Sequence, residues 1–447
     1  MAGLVVRVLL LVWFRGEPLS IYDERDYHNL AVNLVEQGLF SLDGQVPASM
    51  RPPLYPAFVA GVYAVFGIGN FQAVRMVQAA VSLVNVVLLY YLGSEVYNRR
   101  IGTWAAAAFC FYPSMLGQNK LLLTETLFTF WLTLACLVIV RFFRRDQVWY
   151  LALAGVLIGL GALTRSVLWL LPPVLAVLVL GAWKASFKRR LAAAALLIAT
   201  FAVTIAPWAV RNTRLQKTLV TIDVMGGRNF MMGNYEHTPL YRAWDAISME
   251  GPRNWYHVLE QQRPEVKQMT QGQRDKAALR YGLHYVWNHP GQTLKRDLVK
   301  FLNFWQLERS LVAGMSRGYF GGPPVGVVVL STLLIFGSYA AAMISGIFGA
   351  VMAPPPKRAA YWFLLVMIAY VCGLHSLVFA HSRYHLPLLP LVLLFSGAAL
   401  VARKEIWRRR STTAFRLATA SSGLLIGAWV WEILAVDLHK YMNLLGG

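Results

Sequence analysis

Long uninterrupted apolar runs constrain the fold of this chain more than any other feature of its sequence. About 20 apolar residues are needed to cross roughly 30 Å of hydrocarbon, and runs of this kind recur along the 447 residues. Clear examples cover residues 71–97, 121–140, 191–210 and 325–351. The mean hydropathy is +0.49 and only 14% of the residues are charged. The main solvent of the folded chain is therefore predicted to be lipid rather than water.

The spacing of these runs predicts an all-α polytopic membrane protein with about eleven transmembrane helices, because helices satisfy their own backbone polar groups in lipid. We predict one N-terminal transmembrane module over residues 1–210, including a first outer loop over 15–70. A small, mainly helical outer domain over 211–322 and a group of transmembrane helices over 323–447 follow. In the first outer loop, apolar residues at helical spacing end at Gly38, which predicts an amphipathic surface helix.

The net charge of +21 does not indicate nucleic-acid binding, because the basic residues are not spread along one face. They cluster in short loops, at residues 99–100, 141–145, 184–190, 357–358 and 403–410. These loops alternate with loops poor in basic residues, as expected for cytoplasmic loops. The first outer loop, the Lys120 turn, residues 211–322 and the turn at 381–383 are then predicted to lie outside. The three cysteines all lie in apolar segments and have neither a disulfide framework nor metal-ligand spacing.

Three carboxylates, Asp23, Glu24 and Asp26, open the first outer loop. Carboxylates at this position can accept a proton or bind a divalent cation through their hard oxygen atoms. They can also have a purely structural role, since Ser20 followed by Asp23 resembles a helix capping box. The sequence leaves these alternatives open.

Two further candidates are Arg51, which precedes the rigid segment Pro52 to Tyr55, and Glu125, at the outer start of an apolar run. Arginine binds phosphate through paired hydrogen bonds, so Arg51 suits a lipid phosphate; the alternative is an arginine that only snorkels to the interface. A carboxylate at the membrane boundary indicates a functional site, although a helix dipole also favours an acidic first turn.

The last candidate is Arg383, in the short segment from His381 to His385 between two apolar runs. A turn this short holds the guanidinium near lipid, where it either snorkels or meets an anion. Gly and Asn residues at 226–234 are interpreted as tight turns with positive φ, without chemistry of their own. All candidate acids and arginines fall on the predicted outer side, where they suit a phosphate leaving group and a hydroxyl nucleophile.

The order of these motifs resembles the C-type glycosyltransferases, in the branch of protein O-mannosyltransferases and bacterial transferases of aminoarabinose to lipid A. The resemblance covers nearly the whole chain. It is carried by Asp23, Glu24 and Tyr27; by Arg51 to Leu54; by Glu125; by Pro207, Trp208, Arg211, Asn212, Gly227, Gly233 and Asn234; and by Arg383, Tyr384 and Pro387. The family usually has Glu before the Arg-Tyr pair, whereas this chain has Ser382, which leaves open whether His381 or His385 replaces it.

The resemblance implies an inverting enzyme that transfers a sugar from a polyprenyl-phosphate carrier to a hydroxyl of a lipid, glycan or protein. Asp23 would be the general base, and Glu24 and Glu125 would orient hydroxyl groups. Arg51 and Arg383 would hold the phosphate, with Tyr55, Tyr384 and His381 completing the substrate-binding set. No cofactor is required by this scheme, although some relatives use a divalent cation, for which Asp23, Glu24 and Asp26 are the candidate ligands. The expected location is the prokaryotic plasma membrane, with the site on its periplasmic or extracellular side.

Two other classes of function remain at this level. A transporter would also have many helices, but it should carry its charges near the middle of the membrane on broken helices. A ligase or polymerase of lipid-linked glycans is a neighbouring enzyme class with similar basic outer loops.

Overall fold

The computed structural model describes residues 1–437, and it is helical apart from loops and one isolated bridge between Ser41 and Pro47. The N-terminal helices are α1 (Ala2–Trp13), α2 (Tyr22–Gln37), α3 (Leu54–Phe66), α4 (Phe71–Val96), α5 (Arg99–Cys110), α6 (Pro113–Gln118), α7 (Glu125–Arg145), α8 (Trp149–Thr164), α9 (Leu171–Ala182) and α10 (Phe187–Gln216). The middle helices are α11 (Gly226–Gly233), α12 (Trp255–Gln262), α13 (Gln271–Asn288), α14 (Pro290–Phe304) and α15 (Arg309–Ser316). The C-terminal helices are α16 (Val325–Met352), α17 (Arg358–Leu377), α18 (Leu389–Val401), α19 (Arg403–Arg408) and α20 (Thr413–Trp431).

Seven helical segments among the described residues are long and apolar enough to cross a membrane, and four shorter apolar helices accompany them. The predicted all-α polytopic class is therefore confirmed. The sequence pattern also predicts a span at 101–116, and this prediction is wrong, because the chain breaks at Phe111 and Tyr112 and Pro113 starts the short helix α6. Leu54–Phe66, which sequence analysis left in the first outer loop, is one of the four shorter apolar helices.

The helices at the centre of the bundle are α7 and the segment Ser382–Val401, in which a 3-10 turn (Ser382–Leu388) leads into α18. In these two segments 78% and 83% of the apolar window is buried, compared with 17% in the window that begins at Thr413. Helices α4 and α5 approach closely, since a Cβ on Gly93 would lie 2.6 Å from the Cα of Gly102. The two central segments carry Glu125 and Arg383 and hold them on a rigid framework.

A domain of residues 217–324, here called the intervening domain, lies between α10 and α16. Its core includes Met231, Tyr235, Leu259, Val266 and Ala278. The predicted start at residue 211 is too early, because α10 continues to Gln216. The sequence of this domain has two helical patterns, over 274–287 and 291–305, that are interrupted by His289 and Pro290. They correspond to α13 and α14, and the chain breaks at His289 before Pro290.

Helix α14 has its polar side chains inside and its apolar side chains outside. Arg296 and Lys300 are 4% and 0% exposed, whereas Leu294 and Leu298 are 63% and 60% exposed. The buried Lys300 ammonium donates to Asn234 Oδ1 at 3.0 Å and also contacts the Leu377 carbonyl at the end of α17. Because this helix packs beside the end of a membrane-spanning helix, its outward face continues the apolar surface of the bundle.

Helix α2 has the predicted amphipathic character and ends at Gly38, whose φ is 66°. A positive φ at this position favours glycine and closes the helix. The buried face of α2 contacts protein, since the Tyr27 and Tyr55 rings meet edge to face at 4.8 Å. This contact fixes the start of α2, where Asp23 lies, relative to α3.

Candidate active site

Two arginines and three carboxylates form a continuous ion-pair network at one end of the bundle. Arg383 joins two of the acids: its Nη2 lies 3.1 Å from Asp23 Oδ2 and its Nε lies 2.8 Å from Glu125 Oε1. Arg51 Nη2 lies 2.7 Å from both Asp23 Oδ1 and Asp26 Oδ2. The structure thus brings together five candidates from four separate parts of the chain, with Asp23 between the two guanidinium groups.

Arg165, which sequence analysis did not select, is a third arginine of the network. Its Nη1 lies 3.2 Å from Glu125 Oε1, and its guanidinium stands over the rings of Phe128 and Tyr384 at 5.6 and 5.4 Å. Its sequence signal is the same as that of Arg383: a lone basic residue in a short turn between two apolar runs.

Glu125 is the first residue of α7 and its side chain is 1% exposed. Its Oε1 meets Arg383 and Arg165, whereas its Oε2 has no partner among the described residues. A buried carboxylate oxygen without a partner can accept a hydrogen bond from a hydroxyl of a bound substrate.

The segment before Arg51 is fixed by the motif Pro207 to Asn212, which lies inside α10. Arg211 Nη1 donates to the Ala48 carbonyl at 2.9 Å, and Ser49 Oγ donates to Asn212 Oδ1 at 3.0 Å. The Ser49 carbonyl in turn accepts from the Val224 N–H at 3.1 Å. The motif therefore acts on the site indirectly, by positioning the backbone from which Arg51 projects.

Gly227 and Gly233 are needed for close approach and not for positive φ, which corrects the sequence-based interpretation of the segment 226–234. Gly227 and Gly233 both lie in the helix α11. A Cβ on Gly227 would collide with the Asp275 carbonyl, and one on Gly233 with the Val378 carbonyl. Asn234 also donates to the Leu377 carbonyl at 2.9 Å. These contacts lock the intervening domain onto the chain that leads to Arg383.

Glu24 does not join the ion-pair network of its neighbour Asp23 but binds backbone N–H groups. It is fully buried, and its Oε2 accepts from the N–H groups of Ser20 and Ile21 at 2.9 and 3.0 Å. Its Oε1 accepts from the Leu122 N–H at 2.9 Å. The capping box suggested for Ser20 and Asp23 is thus made by Glu24, the third residue of the helix, and Asp23 is left free to face the arginines.

The three acids Asp23, Glu24 and Asp26 do not converge on a common point that would suit a cation. Asp23 and Asp26 both pair with Arg51, while both oxygens of Glu24 are bound to backbone N–H groups. Among residues 1–437 no group of three or more His, Cys, Asp or Glu side chains could hold a metal ion. The donor set proposed from the sequence therefore does not fit a divalent cation.

The aromatic and histidine candidates surround the network without all facing it. Tyr55 is fully buried and its hydroxyl donates to Gln78 Oε1 at 2.6 Å, which directs it away from the acids. Tyr384 stacks on His375 at 4.4 Å and covers Arg165. His381 Nδ1 accepts from the Arg383 N–H at 3.1 Å, which fixes the backbone of that arginine.

The charges around Asp23 set its protonation state. Burial alone would raise the pKa of Asp23, but the Arg383 and Arg51 guanidiniums outweigh this effect and lower the pKa to about 2. For Asp26 burial is stronger than its contact with Arg51, so the pKa of Asp26 is raised. Asp23 is therefore a carboxylate at neutral pH, and the arginines are the groups that control its basicity.

The intervening domain adds a further cation next to the network. Arg228 is close enough for its charge to act on Asp26 and on Arg51. An open groove of about 730 Å³ lies elsewhere, between α1 and the start of α4, and is lined by residues such as Arg15 and Arg75. None of the acids in the ion-pair network lines that groove, so the groove is not part of the candidate active site.

Together the fold and the site define a polytopic helical membrane protein whose acids and arginines meet at one end of the bundle. Residues 50–210 match the family model described as dolichyl-phosphate-mannose-protein mannosyltransferase. The resemblance noted in the sequence, to the branch of protein mannosyltransferases and lipid A aminoarabinose transferases, is confirmed. A search of curated protein sequences gave no significant match.

Two solved structures illustrate the likeness in fold. ArnT from Cupriavidus metallidurans, crystallised with undecaprenyl phosphate, has a TM-score of 0.50 at 13% identity, covering 99% of this chain and 71% of ArnT. The Archaeoglobus fulgidus oligosaccharyltransferase with a tethered acceptor peptide has a TM-score of 0.51 at 15% identity, covering 96% of this chain and 53% of that one. The chain thus spans about half the length of the archaeal protein, and at these identities the likeness concerns the fold.

Proposed function

We propose that this chain is an inverting glycosyltransferase that moves a sugar from a polyprenyl-phosphate carrier to a hydroxyl acceptor. The observation that carries the proposal is the position of Asp23 between Arg51 and Arg383, at 2.7 and 3.1 Å. A base flanked by two fixed guanidinium groups provides for both parts of such a transfer, the proton of the nucleophile and the charge of the leaving phosphate. The fold shared with ArnT, which was crystallised with undecaprenyl phosphate, supports a phosphorylated polyprenyl carrier.

In the proposed reaction Asp23 accepts the proton of the acceptor hydroxyl while its oxygen attacks the anomeric carbon. The bond from that carbon to the phosphate oxygen breaks on the opposite face, so the sugar is inverted and negative charge grows on the phosphate. Arg51 and Arg383 bind that phosphate and stabilise the growing charge. Glu125, with its unpartnered Oε2, orients a hydroxyl of the donor or acceptor.

Donor binding would also strengthen the base. The two arginines that lower the pKa of Asp23 to about 2 make it a weak proton acceptor while it is their main anionic partner. A phosphate that shares the same guanidinium groups competes with Asp23 for their hydrogen bonds and adds negative charge nearby. Both effects raise the pKa of Asp23 towards neutrality, so the base gains strength when the donor is in place.

We place the site on the outer face of the plasma membrane, on the argument from loop charge. Cysteines introduced beside Asp23 and Gly226 should react with a membrane-impermeant thiol reagent applied from outside. Cysteines beside Arg99, Arg189 and Arg408 should react only after permeabilisation. The opposite pattern would overturn this orientation.

The position of the ion-pair network also bears on the two alternative functions, a transporter and a transferase of whole lipid-linked glycans. A transporter is disfavoured because the ion-paired acids and arginines gather at one end of the bundle and not along a central path. Transfer of a whole lipid-linked glycan, as opposed to a single sugar, stays open as a second reaction of the same site, since the archaeal oligosaccharyltransferase shares the fold.

The decisive experiment is transfer of radiolabelled sugar by the purified protein in lipid nanodiscs, with a panel of polyprenyl-phosphate sugars as donors. We expect label to move to a hydroxyl acceptor with inversion and to release the polyprenyl phosphate. A variant with Asp23→Asn serves as the matched inactive control. Absence of transfer from every donor in the panel, with a folded protein, would overturn the proposal.

A further inference from the structure

A small cavity lined by both polar and apolar residues lies beside Arg383. Its volume is about 10 Å³, close to the space that one water molecule requires. Its polar lining residues are Ser114, Gln118, Glu308, Ser310, Ser382 and Arg383. The cavity therefore joins the turn that carries Arg383 to α6 and to the start of α15.

Two side chains that line this cavity have polar atoms without a partner among residues 1–437. These atoms are the nitrogen and the oxygen of the Gln118 amide and the oxygen of the Ser382 hydroxyl. Each of the two residues is only 1% exposed. Burying such groups unpaired is costly, and native proteins pair the great majority of them with protein or water. The amide offers a donor and an acceptor and the hydroxyl offers both, which is the requirement of a bound water.

Glu308 provides the only carboxylate of the cavity lining and is itself held firmly. Its Oε1 accepts from the Tyr112 hydroxyl at 2.8 Å, and the Ser114 hydroxyl donates to its Oε2. His385 Nδ1 lies 2.6 Å from the Phe304 carbonyl, so this nitrogen carries a proton, and Nε2 is turned to Glu308 at 3.4 Å. Glu308 is 4% exposed, and a buried acid with this many fixed neighbours has one orientation.

We propose that the cavity is an ordered-water site through which Glu308 positions Arg383, so that Glu308, just before α15, replaces the carboxylate that the family has beside the arginine. The chain has Ser382 at that position, and the Ser382 hydroxyl and Glu308 line the same cavity. The water accepts from the Gln118 amide and donates to Glu308. It connects that acid to the Arg383 turn, a contact that a glutamate at position 382 would make directly.

This inference rests on the proposed function in one respect, because its effect on activity requires that Arg383 binds the donor phosphate. Glu308 touches neither substrate nor the ion-paired acids. It is a positioning residue, and its removal should weaken phosphate binding by loosening Arg383.

The first test measures binding of undecaprenyl phosphate to the purified protein. Glu308→Gln should weaken binding about tenfold, the lower range for losing a charged hydrogen-bond partner. Glu308→Asp, which keeps the carboxylate and needs no extra space, should recover part of the binding, a rescue that a merely structural role for Glu308 would not allow. Glu95→Gln, an ion-paired acid at the opposite end of the bundle, is the control and should bind normally. Unchanged binding in Glu308→Gln, or no recovery in Glu308→Asp, would overturn the inference.

The second test needs no activity, so it separates failure of this inference from failure of the proposed function. Gln118→Leu removes the amide while keeping the approximate volume. If a water pairs the amide, the unfolding temperature should fall by a few degrees, because that water loses its partners. If the amide is simply buried unpaired, leucine should raise the unfolding temperature, and the water site would be refuted. Gln45→Leu, at an exposed loop position, should leave it unchanged.

Discussion

Arg383 Nη2 lies 3.1 Å from Asp23 Oδ2, although the two residues are 360 positions apart in the chain. The first surface helix and the turn before α18 therefore meet at one point, and neither has a complete site without the other. This pair also turns Asp23 away from helix capping, which Glu24 performs in its place.

Asp23→Asn should reduce sugar transfer by about 10² or more, the usual scale for losing a positioned acid–base group. Asparagine has nearly the same size but cannot accept a proton at neutral pH. Because Glu24 caps α2, the unfolding temperature should stay close to that of the unmodified protein. Asp43→Asn is the matched control, since Asp43 lies in the same loop and binds only its own turn. Full transfer by Asp23→Asn would assign the proton to another group.

Arg51→Ala should reduce donor use by roughly 10- to 150-fold, equivalent to 1.5 to 3 kcal/mol for hydrogen bonds to a charged group. Arg51→Lys should recover only part of this loss, because an ammonium cannot make the paired contact. The pH profile gives a second measure. Arg51 helps to lower the pKa of Asp23, and without Arg51 the neighbouring Asp26 has lost its ion-pair partner. The pKa of Asp23 should therefore rise in Arg51→Ala, and the acidic limb of the rate profile should move to higher pH. An unchanged rate and profile would mean that Arg51 has no part in the reaction.

Glu24→Gln should act on stability and not on chemistry. Both carboxylate oxygens of Glu24 accept from backbone N–H groups, whereas a glutamine side chain has only one accepting oxygen. A backbone N–H at the start of α2 or at Leu122 therefore loses its acceptor in the variant. The expected cost is roughly 1 to 3 kcal/mol of unfolding free energy, measured by thermal unfolding in detergent. The rate per folded molecule should stay near normal. A large drop in that rate with unchanged stability would return Glu24 to the substrate-orienting role expected from the sequence.

Asp223 should make the intervening domain more stable in mild acid. Burial raises the pKa of Asp223 to about 6, compared with about 3.9 for an exposed aspartate. The folded state therefore holds this proton more tightly, and stability grows as pH falls through 6 towards 4. The gain is about 2 kcal/mol. Comparing unfolding at pH 7.5 and 4.5 in the native protein and in Asp223→Asn isolates it, because the variant should lack this part of the pH dependence; equal dependence in both would refute it.

The outward face of α14 should be in contact with lipid. The test attaches a nitroxide spin label to Leu298→Cys in a protein whose Cys110, Cys136 and Cys372 are changed to Ala. The accessibility of this label to oxygen, which dissolves in lipid, should be high, and its accessibility to a water-soluble nickel complex should be low. Glu265→Cys, at an exposed charged position of the intervening domain, is the control and should show the reverse. Equal access of the nickel complex at both positions would place α14 in water.

The sequence by itself determined the membrane class, the helical pattern and the set of charged residues that matter. Apolar run length and loop charge depend on local composition and on the cost of burying backbone groups in lipid, so they can be read without contacts. The helices α13 and α14 and the end of α2 at Gly38 followed from apolar spacing and from helix-ending residues for the same reason. Asp23, Arg51, Glu125 and Arg383 were each selected because a charge at a membrane boundary needs an explanation.

Only the tertiary structure decided how those charges are shared. Glu24 is adjacent to Asp23 in sequence, yet one binds backbone N–H groups and the other binds two arginines, because a helix turns successive side chains by about 100°. Arg165 and Glu308 join the site or its surroundings through packing between helices, which local composition does not encode. The polar interior and apolar exterior of α14 could not be assigned from its periodicity, since the pattern gives two faces and only the neighbouring α17 determines which of them meets protein.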